Sequence, residues 1–232
     1  MLIDKGSASF SNPTGFIVLE GVNGAGKSTV QRRIAQFLAA AGQEYLLTRE
    51  PGGTPFGEQM RAILLGQHDR KINPRSEVFL FSADRAHHVS ELIRPALLAK
   101  KAVVCDRFYY STIAFQGYGR GLDRSALEQI SYFAIDNCKP DLVILLDLAP
   151  SEGLRRTAKR SSQNVERDSF EAEKLEFHTR LRAGFLDMAK RMLENFLCVD
   201  AAKNEEAVWA EIEPVLTVWL DALRSHRGPP NA

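Results

Sequence analysis

Eight residues, Gly21-Val22-Asn23-Gly24-Ala25-Gly26-Lys27-Ser28, combine glycines, one amine and one hydroxyl at the spacing that holds a polyphosphate. Glycines let backbone N–H groups turn inward on the anion, and a helix starting at the loop's end adds partial positive charge. Lys27 would reach the β- and γ-phosphates, Ser28 would ligate Mg²⁺, and Thr29 follows as a further triphosphate-side candidate. The pattern is that of a P-loop; a glycine-rich turn that matches by chance is the alternative. The flanks decide between them. Phe16-Ile-Val-Leu19 reads as a buried strand feeding the loop. After it Val30, Ile34, Phe37, Leu38 and Ala41 recur at helical spacing up to Gly42, a C-cap signal. These residues imply binding of a nucleoside triphosphate.

Other constellations have the chemistry of phosphoryl transfer. Asp106-Arg107 closes an apolar run, Ala102-Val-Val-Cys105. A carboxylate at such a strand end can hold Mg²⁺, and the adjacent guanidinium can bridge two phosphates with its planar fork; a strand-terminal salt bridge is the plainer reading. In Thr48-Arg-Glu-Pro-Gly-Gly-Thr54, Arg49 could hold a phosphate while Glu50 and Pro51 shape an acceptor pocket, or the segment is a tight turn flanked by solvated charges. Phe81 and Arg85 sit four apart in Pro74–Leu98, which reads as a helix, and so share a face. Spacing alone favours a core phenylalanine beside an exposed arginine over a base-reading pair. Ser111-Thr-Ile-Ala-Phe-Gln116-Gly-Tyr-Gly-Arg-Gly121 offers hydroxyls and an amide that suits a pyrimidine edge, or is a glycine-rich loop without a ligand. Arg155, Arg156, Lys159, Arg160 and Arg167 form a basic cluster that could supply cations to a migrating phosphoryl group or lie on a solvated helical face. The loop positions Asn23, Gly24 and Ala25 bring no cation of their own.

The elements that must position these groups follow from five apolar runs, Phe16–Leu19, Tyr45–Thr48, Ala102–Cys105, Leu142–Leu146 and Phe196–Val199, alternating with helical patterns. Such alternation predicts a parallel sheet covered by helices on both faces. A last helix is expected over about Glu205 to Leu223, with Asn204 as N-cap, Pro214 as a kink, and a core-facing stripe of Val208, Ile212, Val215, Leu216, Trp219 and Leu223. Two polar segments, Arg49–Asn73 and Thr157–Glu171, emerge where ligands of open α/β sheets bind and are candidate mobile covers. Length and a hydrophobic content of 44% allow a full core, and a net charge of +1 argues against a broad nucleic-acid surface. Cys105, Cys138 and Cys198 are read as reduced thiols of a cytoplasmic protein, with neither signal peptide nor membrane span.

In this order the motifs resemble the thymidylate kinase family, of the bacterial type, from Phe16 to about Asp200. The most specific elements are Thr48–Thr54, Asp106-Arg107 followed by Gln116–Gly121, and Leu80-Phe-Ser-Ala-Asp-Arg85. The resemblance implies a P-loop NTPase three-layer sandwich around a five-stranded parallel sheet. It also implies transfer of the ATP γ-phosphoryl group to dTMP, Mg²⁺ dependence, a homodimer, and no nucleic-acid or membrane partner. The family domain would span residues 16–224 with an arginine-rich lid over about 157–171, between disordered ends at 1–15 and 225–232. By resemblance Phe81 stacks on thymine, and Arg85 and Gln116 bond its polar edge. Arg61, Arg107 and Arg49 hold the acceptor phosphate, Glu50 and Pro51 line the pocket, and Ser111 and Thr112 complete its wall. Lys27, Arg107, Arg156 and Arg160 carry catalysis, with the metal at Ser28 and Asp106.

Three positions depart from the family pattern. Asn23 stands where an acidic residue bonds the sugar 3′-hydroxyl. Asp168-Ser-Phe-Glu171 stands where the lid has Asp-Arg-x-Glu, so Arg160 or Arg167 would take over. Phe115 replaces a tyrosine, so exclusion of ribonucleotides would be steric. Another nucleoside monophosphate or deoxynucleoside kinase, an inactive family member, and a P-loop switch or ATPase acting on a protein are the competing readings.

Overall fold

A computed structural model describes residues 9–66, 72–161, 170, 171 and 173–227, with the side chains of 160 and 161 excepted. Its five strands, β1 (Phe16–Glu20), β2 (Tyr45–Arg49), β3 (Ala102–Asp106), β4 (Leu142–Asp147) and β5 (Phe196–Asp200), form one sheet in the order β2-β3-β1-β4-β5. All neighbouring pairs are parallel. Each strand is one residue longer than its apolar run, and the added residue is charged: Glu20, Arg49, Asp106, Asp147 and Asp200. These five lie at the strands' carboxyl ends, where an open parallel sheet binds ligands.

Residues alternate between two cores because successive side chains point to opposite faces. Phe16, Val18, Val103, Cys105, Val143 and Leu145 face one, while Ile17, Leu19, Val104, Ile144 and Leu146 face the other. The second is closed by α1 (Lys27–Ala40) and by α9 (Glu205–Arg227), whose predicted stripe is buried throughout. Asn204 caps α9 by accepting from the Ala207 N–H at 2.9 Å. Gly42, at φ +69°, follows the end of α1. The first core is covered by α3 (Pro74–His88), α6 (Arg124–Ile135) and α8 (Leu175–Arg191).

Several expectations are corrected. The stretch 74–98 is helical, but a π-turn over Val89–Ile93 separates α3 from α4 (Arg94–Leu98), just ahead of Pro95, which has no N–H to donate to the preceding turn. Arg49–Asn73 is not a bare cover: it contains α2 (Pro55–Leu65), started by Thr54, whose hydroxyl accepts from the Gly57 N–H at 2.9 Å. Residues 111–121 are not a loop. A short helix α5 (Tyr109–Thr112) widens into a buried π-helix over Ile113–Gly119. α7 (Pro150–Ser161) occupies the start of the expected lid; Arg167, Asp168 and Ser169 lie outside the described residues, as does the Arg160 side chain. The ends are tied down further than expected. Asp141 accepts from the N–H groups of Thr14, Gly15 and Phe16, and α9 continues to Arg227, whose guanidinium caps the carbonyls of Thr14 and Lys100.

Candidate active site

The loop between β1 and α1 wraps a polar cavity lined by Asn23, Gly24, Gly26, Lys27, Ser28 and Thr29. Gly26 caps α1 at φ +94° with open space around it, so its backbone angle rather than crowding excludes a side chain. Gly24 is different: a Cβ there would lie 2.5 Å from the carbonyl oxygen of Gly153, so α7 packs directly on the loop. Lys27 Nζ donates to the carbonyls of Gly21 and Val22 at 3.3 and 3.4 Å, and Val22 itself is buried in the core. Across the cavity stand Arg49, Arg61, Asp106, Arg107, Arg156, Thr157 and Glu171. Asp106 Oδ1 is withdrawn from solvent and has no hydrogen-bond partner among the described residues. Arg156 donates to Glu152 and to the Ala201 carbonyl, while Arg155 pairs with Glu152 on the outside. Ala25 and Arg156 continue into a further cleft with Arg33, Ala201, Lys203 and Trp209.

Arg107 adopts φ +72°, a conformation costly for a residue with a Cβ. What holds it is Glu20, fully buried at the end of β1. Its carboxylate accepts from the N–H groups of Phe108 and Ser111 at 2.9 and 3.1 Å and from the Ser111 hydroxyl at 2.7 Å. Burial pushes the Glu20 carboxyl up, against the pull of Arg107 at 3.7 Å. Arg107 then donates to Gly21 O and Ser111 Oγ at 3.0 Å and to Asn23 Oδ1 at 2.5 Å, with Phe115 under its guanidinium. Asn23 Nδ2 in turn donates to Glu171 at 3.4 Å.

Beside this lies an aromatic cavity. Asn23, Glu50, Pro51, Arg61, Phe81, Arg85, Arg107, Ser111, Thr112, Phe115 and Gln116 all line it, with Leu65, Phe108 and Phe170. Arg49 does not; it lines the polar cavity, paired with Glu58 at 3.1 Å. Arg85 is 1% exposed, so the core-and-surface reading of Phe81 and Arg85 is reversed: the arginine is buried and the phenylalanine half-buried. Arg85 is sustained by Glu50 at 2.8 Å and by the Thr112 hydroxyl at 3.2 Å. The other Glu50 oxygen lies 3.0 Å from His88 Nδ1, and His88 Nε2 lies 2.7 Å from Thr48 Oγ1. The buried charges of Arg85 and Glu50 thus neutralise each other. The Gly52 N–H donates to Asp84, whose carboxyl burial and then the Glu50 charge push up to about 7. Gln116 donates to Glu77 at 2.9 Å.

The two cavities share Asn23, Glu50, Arg61 and Arg107. A phosphate-binding loop thus opens through two arginines onto an aromatic slot, the arrangement needed to bring two nucleotides end to end. Residues 19–212 match the family model for thymidylate kinase. The chain belongs to the thymidylate kinase family. It is 46% identical over 208 residues to the thymidylate kinase of Solidesulfovibrio magneticus, covering 87% of this chain and 100% of that protein. To the thymidylate kinase of Desulfosudis oleivorans it is 44% identical, over 80% of this chain and 88% of the other. The crystal structure of thymidylate kinase from Ehrlichia chaffeensis superposes with a TM-score of 0.67 at 31% identity, covering 88% and 97% of the two chains. The P-loop NTPase sandwich and the ATP-using phosphotransfer to dTMP follow from membership; neither a switch nor a different kinase is favoured. No helix among the described residues is long and apolar enough to cross a membrane.

Within this thymidylate kinase frame, sequence reasoning missed Glu20, Glu77, Asp84, His88 and Phe170. Glu20 ends an apolar run and Glu77 opens a helix, both common surface positions; only their buried partners distinguish them. Phe170 packs edge-on to Phe115 with ring centroids 5.2 Å apart, and lies within the segment read as a polar lid.

Proposed function

We propose that the polar cavity takes the triphosphate of ATP and the aromatic cavity takes dTMP, with the γ-phosphoryl group crossing at Arg61 and Arg107. The observation that carries this reading is the sharing of Asn23, Glu50, Arg61 and Arg107 by both cavities. The acceptor phosphate is already a nucleophilic oxyanion, so alignment and charge neutralisation suffice without a strong general base. Lys27 leaves the loop carbonyls for the β- and γ-phosphates, Arg107 bridges donor and acceptor, and Arg61 holds the acceptor phosphate. Arg156 approaches from α7 over the triphosphate. The cleft beyond Gly26 and Thr29, between Arg33, Arg156, Ala201 and Trp209, receives the adenine.

Asp106 Oδ1, without a hydrogen-bond partner among the described residues, and the Ser28 hydroxyl border the same cavity and offer the hard oxygen donors that Mg²⁺ prefers. Bound there, Mg²⁺ would neutralise phosphate charge. In the aromatic cavity Phe81 stacks on thymine, Arg85 and Gln116 meet its polar edge, and Phe115 with Ser111 and Thr112 closes the sugar side. A groove between α3 and α6 exposes Phe79 at 64% and Phe133 at 90% beside Ala83 and Ile130. Apolar surface of that kind calls for a cover, and a second copy of the chain in a two-fold dimer supplies it. The unpaired Cys105, Cys138 and Cys198 suit the reducing cytoplasm.

A coupled ADP-release assay across dTMP, dUMP, UMP, CMP and thymidine tests the assignment. dTMP is expected to give the highest kcat/KM. Hydrolysis of ATP at one rate whatever the acceptor would sink it.

A further inference from the structure

We propose that Glu77 sets the base specificity of the aromatic cavity by fixing which end of the Gln116 amide faces the base. The inference rests on the reading that the pyrimidine lies against Gln116. An amide side chain is ambidextrous, with a donor at one end and an acceptor at the other, and exchanging them costs only a rotation. In this protein the rotation is blocked. Gln116 is wholly buried in the π-helix, and its Nε2 donates to Glu77 Oε2 at 2.9 Å. Glu77 is itself buried, in the first turn of α3, and does not line the cavity. Arg120 holds it, with Nη2 3.2 Å from Oε1, and Arg120 also pairs with Glu173 at 2.6 Å. A carboxylate locked to an arginine can only accept, so the nitrogen end of the amide is committed to it.

The remaining end, Oε1, is buried without a hydrogen-bond partner among the described residues, on a side chain that lines the cavity. An unsatisfied buried acceptor costs free energy unless a ligand supplies the missing donor. Thymine and uracil supply it, because N3 carries a proton between two carbonyls. Cytosine does not: its N3 is a lone pair, which would meet Oε1 head-on. Glu77 is therefore a positioning residue that acts through Gln116, and it converts an indifferent amide into a reader of the N3 proton. Removing its one-way character should loosen selection between N3–H and N3-lone-pair bases while leaving untouched selection for the 5-methyl group.

The test is kcat/KM for dTMP, dUMP and dCMP in Glu77→Gln, where the partner amide can both donate and accept. The dTMP-to-dCMP ratio is expected to fall by on the order of tenfold, about the worth of one hydrogen bond, while the dTMP-to-dUMP ratio keeps its wild-type value. The exchanged pair, Glu77→Gln with Gln116→Glu, places an obligate acceptor in the cavity again and is expected to restore the preference for dTMP over dCMP. A fall of all three activities in parallel, or an exchanged pair that does not recover the preference, would show that Glu77 only ties α3 to the π-helix. If Glu77→Gln does not fold, the ratio in the exchanged pair decides alone. Gln116→Leu separates this from the underlying site assignment. If it leaves both ratios and the KM for dTMP unchanged, the base is elsewhere and the site reading fails. If it alters them while Glu77→Gln does not, only the role of Glu77 fails.

Discussion

The polar cavity and the aromatic cavity adjoin, yet they are made of different materials. One wall of the first is a contiguous loop with its peptide groups and helix terminus, and half-exposed cations such as Arg49 and Arg156 stand on the opposite side. The second is assembled from the turn after β2, α2, α3 and the α5–π-helix segment, and four of its polar residues, Glu50, Arg85, Thr112 and Gln116, are buried and held by one another or by His88 and Glu77 behind the wall. A phosphate is a strong, nearly spherical anion that backbone dipoles can hold with little side-chain specificity. A base edge is a short pattern of donors and acceptors, so its readers must be immobilised before it arrives. The difference teaches where sensitivity to mutation should lie: in turnover on one side, in folding and selectivity on the other.

The largest expected effect is on turnover. Lys27→Ala and Arg107→Ala should each lower kcat/KM for dTMP by on the order of 10²–10⁴-fold, because both cations act on the developing phosphate charge. Steady-state kinetics beside circular dichroism checks this. Near-normal turnover in either folded variant would break the assignment of charge neutralisation to the junction.

Arginines on the two sides should then differ in stability. Arg85→Met strands Glu50 in the interior and is expected to cost about 3–5 kcal/mol. Arg49→Ala breaks a pair with Glu58 that is roughly half in water and should cost under about 1 kcal/mol. Urea denaturation of both variants measures the contrast. Equal losses would mean that the buried network does not distinguish the two cavities.

The buried side should also carry a pH signature. Asp84 titrates at about 7 in the folded protein, against about 4 in an unfolded chain. Between those values the native state keeps a proton that the unfolded state has released. Its contribution is fully present below about pH 4 and is lost as pH rises through about 7. Asp84→Asn keeps an acceptor for the Gly52 N–H and removes the titration. By linkage it should stabilise the protein by about 4 kcal/mol at pH 8, about three pKa units, and by almost nothing near pH 4. A gain independent of pH would show that the carboxyl does not titrate in this window.

The same contrast explains what could be read from the chain. The phosphate loop was legible because its chemistry is local: eight consecutive residues, a strand before and a helix after. The strands were legible as unbroken apolar runs, and each was read one residue short because its last residue is charged, two of these residues, Arg49 and Asp106, lining the polar cavity. The aromatic cavity was legible only through family resemblance. Arg85 finds its partners 35 and 27 positions away, so helical spacing alone placed it on the surface. Glycines at 117, 119 and 121 suggested a loop where a π-helix packs against α8. The Thr54-Pro55 start signal for α2 was present but was overshadowed by the Pro-Gly-Gly turn ahead of it. Glu20 and Glu77 gave no local signal at all, since burial of an acid depends on partners brought by the fold.

The smallest expected effect lies at Asn23, where the two cavities meet. Its carbonyl accepts from Arg107 and its amide donates to Glu171, so it needs both ends of an amide at once. An aspartate would strengthen the first contact by charge assistance and turn the second into repulsion between carboxylates. These terms oppose, and Asn23→Asp alone should change dTMP affinity little. Combined with Glu171→Gln, which restores a donor opposite the new carboxylate, it should bind dTMP about fivefold more tightly, a coupling of roughly 1 kcal/mol. Calorimetric titration of dTMP into wild type, both single variants and the double variant closes the cycle. Strict additivity would mean that residues 23 and 171 act independently. In that case the segment ending at Glu171 would not communicate with the acceptor site through this amide. Titration of the 3′-deoxy analogue adds the second half of the measurement: a gain that persists without the 3′-hydroxyl would assign it to Arg107 rather than to contact between residue 23 and the sugar.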